Sequence, residues 1–304
     1  MKKSILIAVI IIILIGIGGY FWSQQISSKD DGGVQNTGIT TDDSQQQTDE
    51  QVGIGEGDWP ITIGTSVEGR DIDAYTFGSG DTELLFVGGI HGGYSWNTAL
   101  VAYDMIDYLQ ANPSVIPSNV SVTVIPVLNP DGLYKTVGTD GRFAQASVTL
   151  SLKDSIPGRF NAHTVDLNRN FDCDWQQNAT WQNTTVSGGS HAFSEPESQA
   201  LRNYVGEHKP TAVLAWYSSA GGVFASSCHN GVSEETTALT NLYAKASGYP
   251  AYRDFDFYAI TGDMVNWFAK NNVPAISVLL STHDDVEWNK NKAGIDAFLQ
   301  HYAK

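Results

Sequence analysis

The sequence predicts an α/β fold, with a mixed, mainly parallel twisted sheet and helices on both of its faces. Short apolar runs rich in β-branched residues, such as residues 84–87, 211–216 and 275–280, alternate with longer segments of helical character. Alternating strands and helices are typical of a mainly parallel sheet. The chain has 304 residues and is 41% hydrophobic, so it can bury a sizeable core.

The elements follow one another with clear punctuation. Glycine-rich breaks separate the first strands from each other, and composition predicts a turn at residues 128–132, directly after an alternating strand. Ser194 is a plausible cap for a helix with Pro196 in its first turn. The predicted strands are residues 61–64, 71–78, 84–87, 120–127, 211–216 and 275–280, and the predicted helices are residues 96–109, 195–207, 233–247, 264–271 and 293–302.

Residues 1–22 predict a membrane anchor. A basic start, Met1-Lys2-Lys3, precedes an uncharged apolar run over residues 4–22, which is long enough to span a bilayer. The lysines favour the cytoplasmic side, so everything after this segment is expected outside. Because no clear small-x-small cleavage site follows, an uncleaved single-pass anchor in the cell membrane is favoured over a cleaved signal peptide and a secreted protein.

Residues 23–58 predict a flexible acidic linker, and residues 59–304 the folded domain. The linker is rich in Ser, Gln, Asp, Gly and Thr and has little to bury. The formal net charge of −16 argues against nucleic acid as a partner, because phosphate binding depends on clustered Lys and Arg. The two cysteines, Cys173 and Cys228, could form one disulfide if the chain is exported.

Two motifs carry the chemistry. The predicted strand at residues 84–87 is followed by two glycines and then by His91, which therefore lies just past the C-terminal end of the strand. Open α/β sheets bind their ligands at this end of their strands. Residues 166–171 read Asp-Leu-Asn-Arg-Asn-Phe. Together they resemble the zinc carboxypeptidases of the carboxypeptidase A type, peptidase family M14. The resemblance covers residues 59–304 and implies a zinc cofactor, with His91 as one ligand. It also supports a Cys173–Cys228 disulfide.

The resemblance implies roles for four further polar residues. Asn168 and Arg169 would grip the terminal carboxylate of a peptide, since a planar guanidinium binds a carboxylate through paired hydrogen bonds. Asp166 would orient the first zinc histidine. Arg159 would stabilise the oxyanion that forms when water attacks the peptide carbonyl.

The segment around residues 258–267 resembles the part of the family that closes over the substrate. Tyr258 takes the place of the mobile tyrosine that covers the bound C-terminal residue. Val265 takes the place that sets the preference for the terminal side chain. An apolar residue there predicts an apolar or aromatic terminal residue.

Three positions depart from the family pattern. The second zinc ligand, a Glu, would stand at the third residue after His91 or one later, and these places hold Tyr94 and Ser95. Tyr217 replaces the second zinc histidine, and a phenol with an ordinary pKa near ~10 is a poor ligand at neutral pH. Leu279 replaces the general-base Glu and cannot accept a proton. The zinc expected from the family therefore lacks most of its ligands.

Other histidines are not expected to replace the missing zinc ligands. His191, His229 and His283 lack the spacing of a helical metal pair and are predicted to lie in solvated loops. The sequence thus favours a catalytically inactive carboxypeptidase homologue that binds peptide or protein C-termini. Two alternatives remain: an active metallocarboxypeptidase that releases apolar C-terminal residues, and a structural or interaction module without peptide binding.

Overall fold

The computed structural model describes residues 60–304 of the chain. The predicted anchor at residues 1–22 and the predicted linker at residues 23–58 lie outside the described residues. Within residues 60–304, none of the helices combines the length and the apolar character that crossing a bilayer requires.

The described domain is built around a mixed sheet of eight strands in the order β1-β2-β4-β3-β7-β10-β8-β9. The central pairs β4–β3, β3–β7 and β7–β10 are parallel, and antiparallel strands flank them on both sides. This arrangement confirms the predicted fold class. The strands are β1 Ile61–Thr65, β2 Asp71–Gly78, β3 Thr82–Val87, β4 Val120–Ile125, β5 Asn178–Trp181, β6 Thr184–Ser187, β7 Ala212–Ser218, β8 Gly222–Ala225, β9 Ala251–Tyr252 and β10 Ala275–Leu280.

Two of the helices illustrate how capping residues set their bounds. Ser233 accepts a hydrogen bond from the N–H of Thr236 at the start of one helix, and Gly248 ends that helix in the left-handed region with φ of 78°. Asp263 caps a shorter helix through the N–H of Asn266. The helices are α1 Trp96–Ala111, α2 Pro130–Val137, α3 Leu152–Ser155, α4 Pro196–His208, α5 Glu234–Ser247, α6 Met264–Lys270 and α7 Trp288–His301.

The period of two along the central strands creates two hydrophobic cores, one on each face of the sheet. On β7, Leu214 and Trp216 belong to the core that α1, α5 and α7 cover. Val213 and Tyr217, which alternate with them, belong to the core that α4 and α6 cover. Strand β7 is buried on both faces, which explains its continuous apolar sequence.

The structure corrects several predicted local elements. The predicted turn at residues 128–132 is the start of α2, because Asn129 caps the helix through the N–H of Gly132 and Pro130 occupies its first turn. Helix α7 begins at Trp288 rather than at residue 293. The hairpin β5–β6 and the short strands β8 and β9 were not predicted, because their few residues lack an alternating apolar pattern.

The parallel strands place their C-terminal ends along one edge of the sheet. Leu279 of β10 lies opposite Tyr217 of β7 in the register, and Val87 of β3 lies opposite Ala215. His91 follows β3 by four residues. The ends of β3, β7 and β10 therefore meet at the edge where open α/β sheets bind their ligands.

Candidate functional site

A cavity of about 1000 Å³ opens at this edge of the sheet. His91, Tyr217 and Leu279 reach it from the three central strands, and Asn168 and Arg169 reach it from a one-turn helix at Leu167–Arg169. The volume is that of a site for a small molecule or a short peptide end. Most of the residues predicted to form one site are thus brought together, whereas Asp166 and Ser95 are buried and do not line the cavity.

His91 is buried with its imidazole unpaired. The residue is 5% exposed, and neither ring nitrogen has a hydrogen-bond partner. Nε2 lies 3.6 Å from Oδ1 of Asp166, which is too long for a hydrogen bond. Burial and the positive charge of Arg159 lower the pKa of His91 to about 4, so the ring is neutral at pH 7. A neutral, unpaired imidazole is a competent ligand for a metal or for a polar group.

The other donors do not fit zinc. Ser95 is 1% exposed and its hydroxyl has no partner, but a neutral hydroxyl is not among the ligands zinc prefers. Burial, together with the negative charge of Asp263, raises the pKa of the Tyr217 phenol well above its usual value. Within residues 60–304, the one group of three His, Cys, Asp or Glu atoms close enough to share an ion contains both cysteines, and these are joined in a disulfide.

Leu279, which stands where the general base is expected, has an apolar side chain. Leu279 is 9% exposed and lies between Tyr217 of β7 and Gly222 of β8 in the sheet register. The nearby carboxylate of Asp263 is already engaged, since it accepts hydrogen bonds from Nδ2 of Asn168 and from the N–H of Asn266. No step of water activation can be assigned to either residue.

Arg159 and Asp166 form a buried ion pair. Nε and Nη2 of Arg159 lie 2.9 and 2.8 Å from Oδ2 of Asp166. Burial alone would raise the pKa of Asp166, but the guanidinium of Arg159 and the contact with His91 outweigh it and lower that pKa. Arg159 also stacks over the ring of Trp181, with 4.4 Å between Cζ and the ring centroid. The pair leaves the carboxylate ionised next to His91.

Arg169 is a buried cation without an ion-pair partner. It is 1% exposed, and no carboxylate within residues 60–304 lies at ion-pair distance from it. Its Nε donates to the carbonyl of Thr180 at 3.0 Å and its Nη1 to the carbonyl of Asn168 at 2.6 Å, which leaves Nη2 unbonded. The side chain of Asn168 is fixed by Asp263 and by the N–H of Met264. The guanidinium of Arg169 is therefore held in place, and its Nη2 remains available to donate hydrogen bonds.

Tyr258 and Val265 stand beside this guanidinium. The ring centroid of Tyr258 lies 5.9 Å from Cζ of Arg169, and the side chain is half-buried. Val265 is 4% exposed on α6 and lines the cavity. Their family roles, the covering tyrosine and the pocket residue, stay predictions, as do those of Arg159, Asn168 and Arg169.

Two groups at the site went unrecognised in the sequence. His283 was expected in a solvated loop but is 9% exposed, because its ring packs 4.5 Å from that of Tyr94 and its Nδ1 lies 3.0 Å from the Tyr94 carbonyl. Burial lowers the pKa of His283. Trp181 comes from the unpredicted hairpin. The positions of His283 and Trp181 depend on long-range contacts that no local pattern signals. His191 and His229, by contrast, are exposed as predicted.

Two acids at the start of α4, Glu195 and Glu197, are buried, at 4% and 0% exposed. Nδ2 of Asn161 donates to both carboxylates, and burial raises the pKa of Glu197. Glu195, not Ser194, occupies the N-cap position of α4, and its side chain makes no capping hydrogen bond. These acids hold the loop that precedes the Asp166 motif.

The predicted disulfide is confirmed: Cys173 and Cys228 are bonded at the cavity wall.

A family model described as Zinc carboxypeptidase matches residues 60–287, well over half of the chain. The chain belongs to the zinc carboxypeptidase family. The match extends over the cavity, its strands and both arginines.

Curated members of the zinc carboxypeptidase family resemble part of the chain. The Inactive metallocarboxypeptidase ECM14 of Ajellomyces capsulatus is 33% identical over 162 residues, which is 48% of this chain and 26% of that protein. Carboxypeptidase B of Astacus astacus is 30% identical over 153 residues, 48% of each chain. The chain thus spans about a quarter of the length of the ECM14 relative and about half of the crayfish one.

Solved structures agree on the fold. Bovine thrombin-activatable fibrinolysis inhibitor, in complex with tick carboxypeptidase inhibitor, superposes with a TM-score of 0.64 at 14% identity and covers 81% of this chain and 90% of that one. Carboxypeptidase A from Helicoverpa armigera gives 0.61 at 19% identity, with 81% and 69% covered. At these identities the likeness establishes the zinc carboxypeptidase fold.

Proposed function

We propose that this protein is a catalytically inactive zinc carboxypeptidase homologue that binds the free C-termini of peptides or proteins. The observation that carries the proposal is Arg169, a guanidinium buried in the wall of the cavity without a carboxylate partner. A buried charge is costly unless it is paired. A terminal carboxylate would supply the missing charge and accept the N–H donors of Nη2.

Inactivity follows from the chemistry of the donor set. Of three expected zinc ligands only His91 has a suitable side chain, and Leu279 cannot move a proton. The name of the ECM14 relative supports the same conclusion. Binding a carboxylate needs neither metal nor base, so it can persist where hydrolysis has stopped.

The neighbours of Arg169 suit an apolar terminal residue. Val265 lines the cavity from α6, and Tyr258 borders Arg169 with an aromatic ring. The ligand expected here is therefore a peptide whose last side chain is apolar or aromatic.

For the residues before the folded domain we propose a membrane anchor at residues 1–22 and a linker at residues 23–58, which would hold the site outside the cell. Cell fractionation and protease accessibility test this placement.

Calorimetry with a hexapeptide ending in phenylalanine tests the binding. The peptide with a free carboxylate should bind clearly better than its C-terminal amide, because losing a buried charge-assisted pair costs about 2–5 kcal/mol. Arg169→Met should remove that difference. Arg202→Met is the matched control, since Arg202 is exposed on α4 and lies outside the cavity wall.

The outcomes separate the competing functions. Equal affinity of the wild-type protein for acid and amide contradicts the proposal whatever the variants do, and leaves a module without C-terminal binding. Release of free phenylalanine from the acid peptide, with or without added zinc, points instead to an active carboxypeptidase. Mass spectrometry of the recovered peptide detects that release.

A further inference from the structure

Residues 254–258 read Asp-Phe-Asp-Phe-Tyr, an alternation of acids and aromatic rings, and all five residues line the cavity. Only Tyr258 has a place in the proposed function. Both aspartates are exposed, and Phe257 is 57% exposed, which is unusual for a phenylalanine next to a cavity. The exposed ring of Phe257 adjoins that of Phe255, which in turn adjoins that of Tyr258, and a contiguous aromatic patch beside a cleft is typical of a surface that binds another molecule. We call residues 254–258 the acidic-aromatic rim.

The rings of the rim support one another. The centroids of Phe255 and Phe257 are 5.0 Å apart, and those of Phe255 and Tyr258 are also 5.0 Å apart. Both phenylalanines contact the buried ring of Phe224, at 5.5 and 6.0 Å. Edge-to-face packing of this kind fixes ring orientation. The rim therefore presents a fixed aromatic face, which attracts cations through its π electrons.

The charges of the cavity are separated by depth. Asp254 and Asp256 form no ion pair or side-chain hydrogen bond with any other residue in the range 60–304, and they are exposed at the mouth. Arg169, also unpaired, is buried in the wall. Arg159 is neutralised by Asp166. The buried carboxylate of Asp263 also lines the cavity, but it already accepts hydrogen bonds from Asn168 and from the N–H of Asn266. Arg169 therefore keeps its Nη2 donor for the negative end of a ligand, whereas the two aspartates can receive a positive group farther out.

A separate observation indicates that the interior receives a ligand. His91 is 5% exposed, lines the same cavity, and has no hydrogen-bond partner for either ring nitrogen. Buried polar groups in native proteins are nearly always paired. A polar ligand that enters the cavity would account both for the unpaired imidazole of His91 and for the Nη2 of Arg169, which has no bond to the described residues.

We infer that the site selects peptides that carry a lysine or arginine within the few residues before their free C-terminal carboxylate. The inference rests on the proposed function, because the carboxylate at Arg169 sets the depth of the peptide. The chain of the peptide then runs outward, and its cationic side chain meets Asp254, Asp256 and the exposed ring of Phe257.

Calorimetry on the full chain in detergent tests the inference. The probes are hexapeptide acids ending in phenylalanine, with lysine, alanine or glutamate at each of the three places before the last residue. At one place or more, lysine should bind about fivefold more tightly than alanine and glutamate less tightly, and added salt should reduce the difference. The double variant Asp254→Asn with Asp256→Asn should abolish it.

A matched control separates the rim from the overall acidity of the chain. Asp71 and Asp81 are exposed, form no side-chain hydrogen bond or ion pair with residues 60–304, and do not line the cavity. Asp71→Asn with Asp81→Asn removes the same charge and should keep the lysine preference. Equal binding of lysine and alanine peptides at every place, or an unchanged preference in the rim variant, overturns the inference.

The amide forms of the same peptides separate the two proposals. If acid and amide bind equally, carboxylate recognition fails and the rim inference falls with it. If the acid binds better but lysine brings no gain, the proposed function stands and only the rim inference is wrong.

Discussion

The disulfide between Cys173 and Cys228 should provide a large share of the stability of the domain. The bridge closes a loop with a sequence separation of 55. A crosslink that closes a loop of that length lowers the entropy of the unfolded chain and so stabilises the folded state by about 4 kcal/mol. Because a domain is stable by only about 5–15 kcal/mol, the double variant Cys173→Ala with Cys228→Ala should unfold far more easily.

The bridge should matter much less for binding. Arg169 is also held through the backbone, because the N–H of Gly262 donates to the carbonyl of Cys173 at 2.7 Å and the N–H of Phe171 to that of Gly262 at 3.0 Å. We expect the affinity of the double variant for an acid peptide to change by less than about threefold, which is under 1 kcal/mol.

Thermal unfolding and urea unfolding, both followed by tryptophan fluorescence, measure the first effect. The melting temperature of the double variant should fall by roughly 8–16 °C, from about 2–4 °C per kcal/mol in a domain of this size. Wild-type protein treated with a reductant serves as the control and should match the double variant. Identical urea midpoints for oxidised wild type and double variant would refute the reasoning.

Three further outcomes follow from single sites. The purified protein should carry far less than one zinc per chain by elemental analysis, and Ser95→Glu with Tyr217→His should raise that content; stoichiometric zinc in the wild type would contradict the donor argument. Partial burial works against ionisation of Glu287, but hydrogen bonds from a lysine and a backbone N–H prevail and lower its pKa to about 2. Glu287 therefore stabilises the fold above pH 4.5, and this contribution is lost as the pH falls toward 2. In Glu287→Gln, the free energy of unfolding should fall by about 1–2 kcal/mol less than in the wild type over this pH range. An equally steep fall for both proteins would argue against this role. Gly262 has a φ of +65° and its Cβ position meets the backbone of Arg169, so Gly262→Ala should destabilise the domain by about 1–3 kcal/mol and weaken acid-peptide binding; an unchanged melting curve would contradict this.

The fold was largely predictable because its central strands are buried on both faces. β10 was predicted with its observed bounds, since six consecutive apolar or small residues between breaks have few other interpretations. The start of α2 was missed because its capping signal, Asn-Pro-Asp-Gly, is also the composition of a turn. Local sequence signals both structures, and what distinguishes the helix is its continuation to Val137, where Gly138 ends it with a φ of 85°.

The site was predictable where motifs name residues, and not where contacts join distant segments. The sequence indicated His91, Arg159 and Arg169, and all three line one cavity. It did not indicate that Arg159 is neutralised by Asp166 while Arg169 has no partner, which is the difference that separates the two arginines chemically. The burial of His283 against Tyr94, 189 residues away in sequence, is likewise a tertiary contact.

The ion pair between Arg159 and Asp166 has a consequence for how other sequences are read. Both side chains are almost fully buried, at 3% and 0% exposed. Replacing one of them leaves an uncompensated charge in the interior, which costs about 3–5 kcal/mol. Folding alone therefore retains this pair after hydrolysis is lost, and its presence in a homologous sequence is no sign of an active peptidase. Positions such as Leu279, where a change of side chain leaves the interior well packed, are the ones that report whether chemistry is still required.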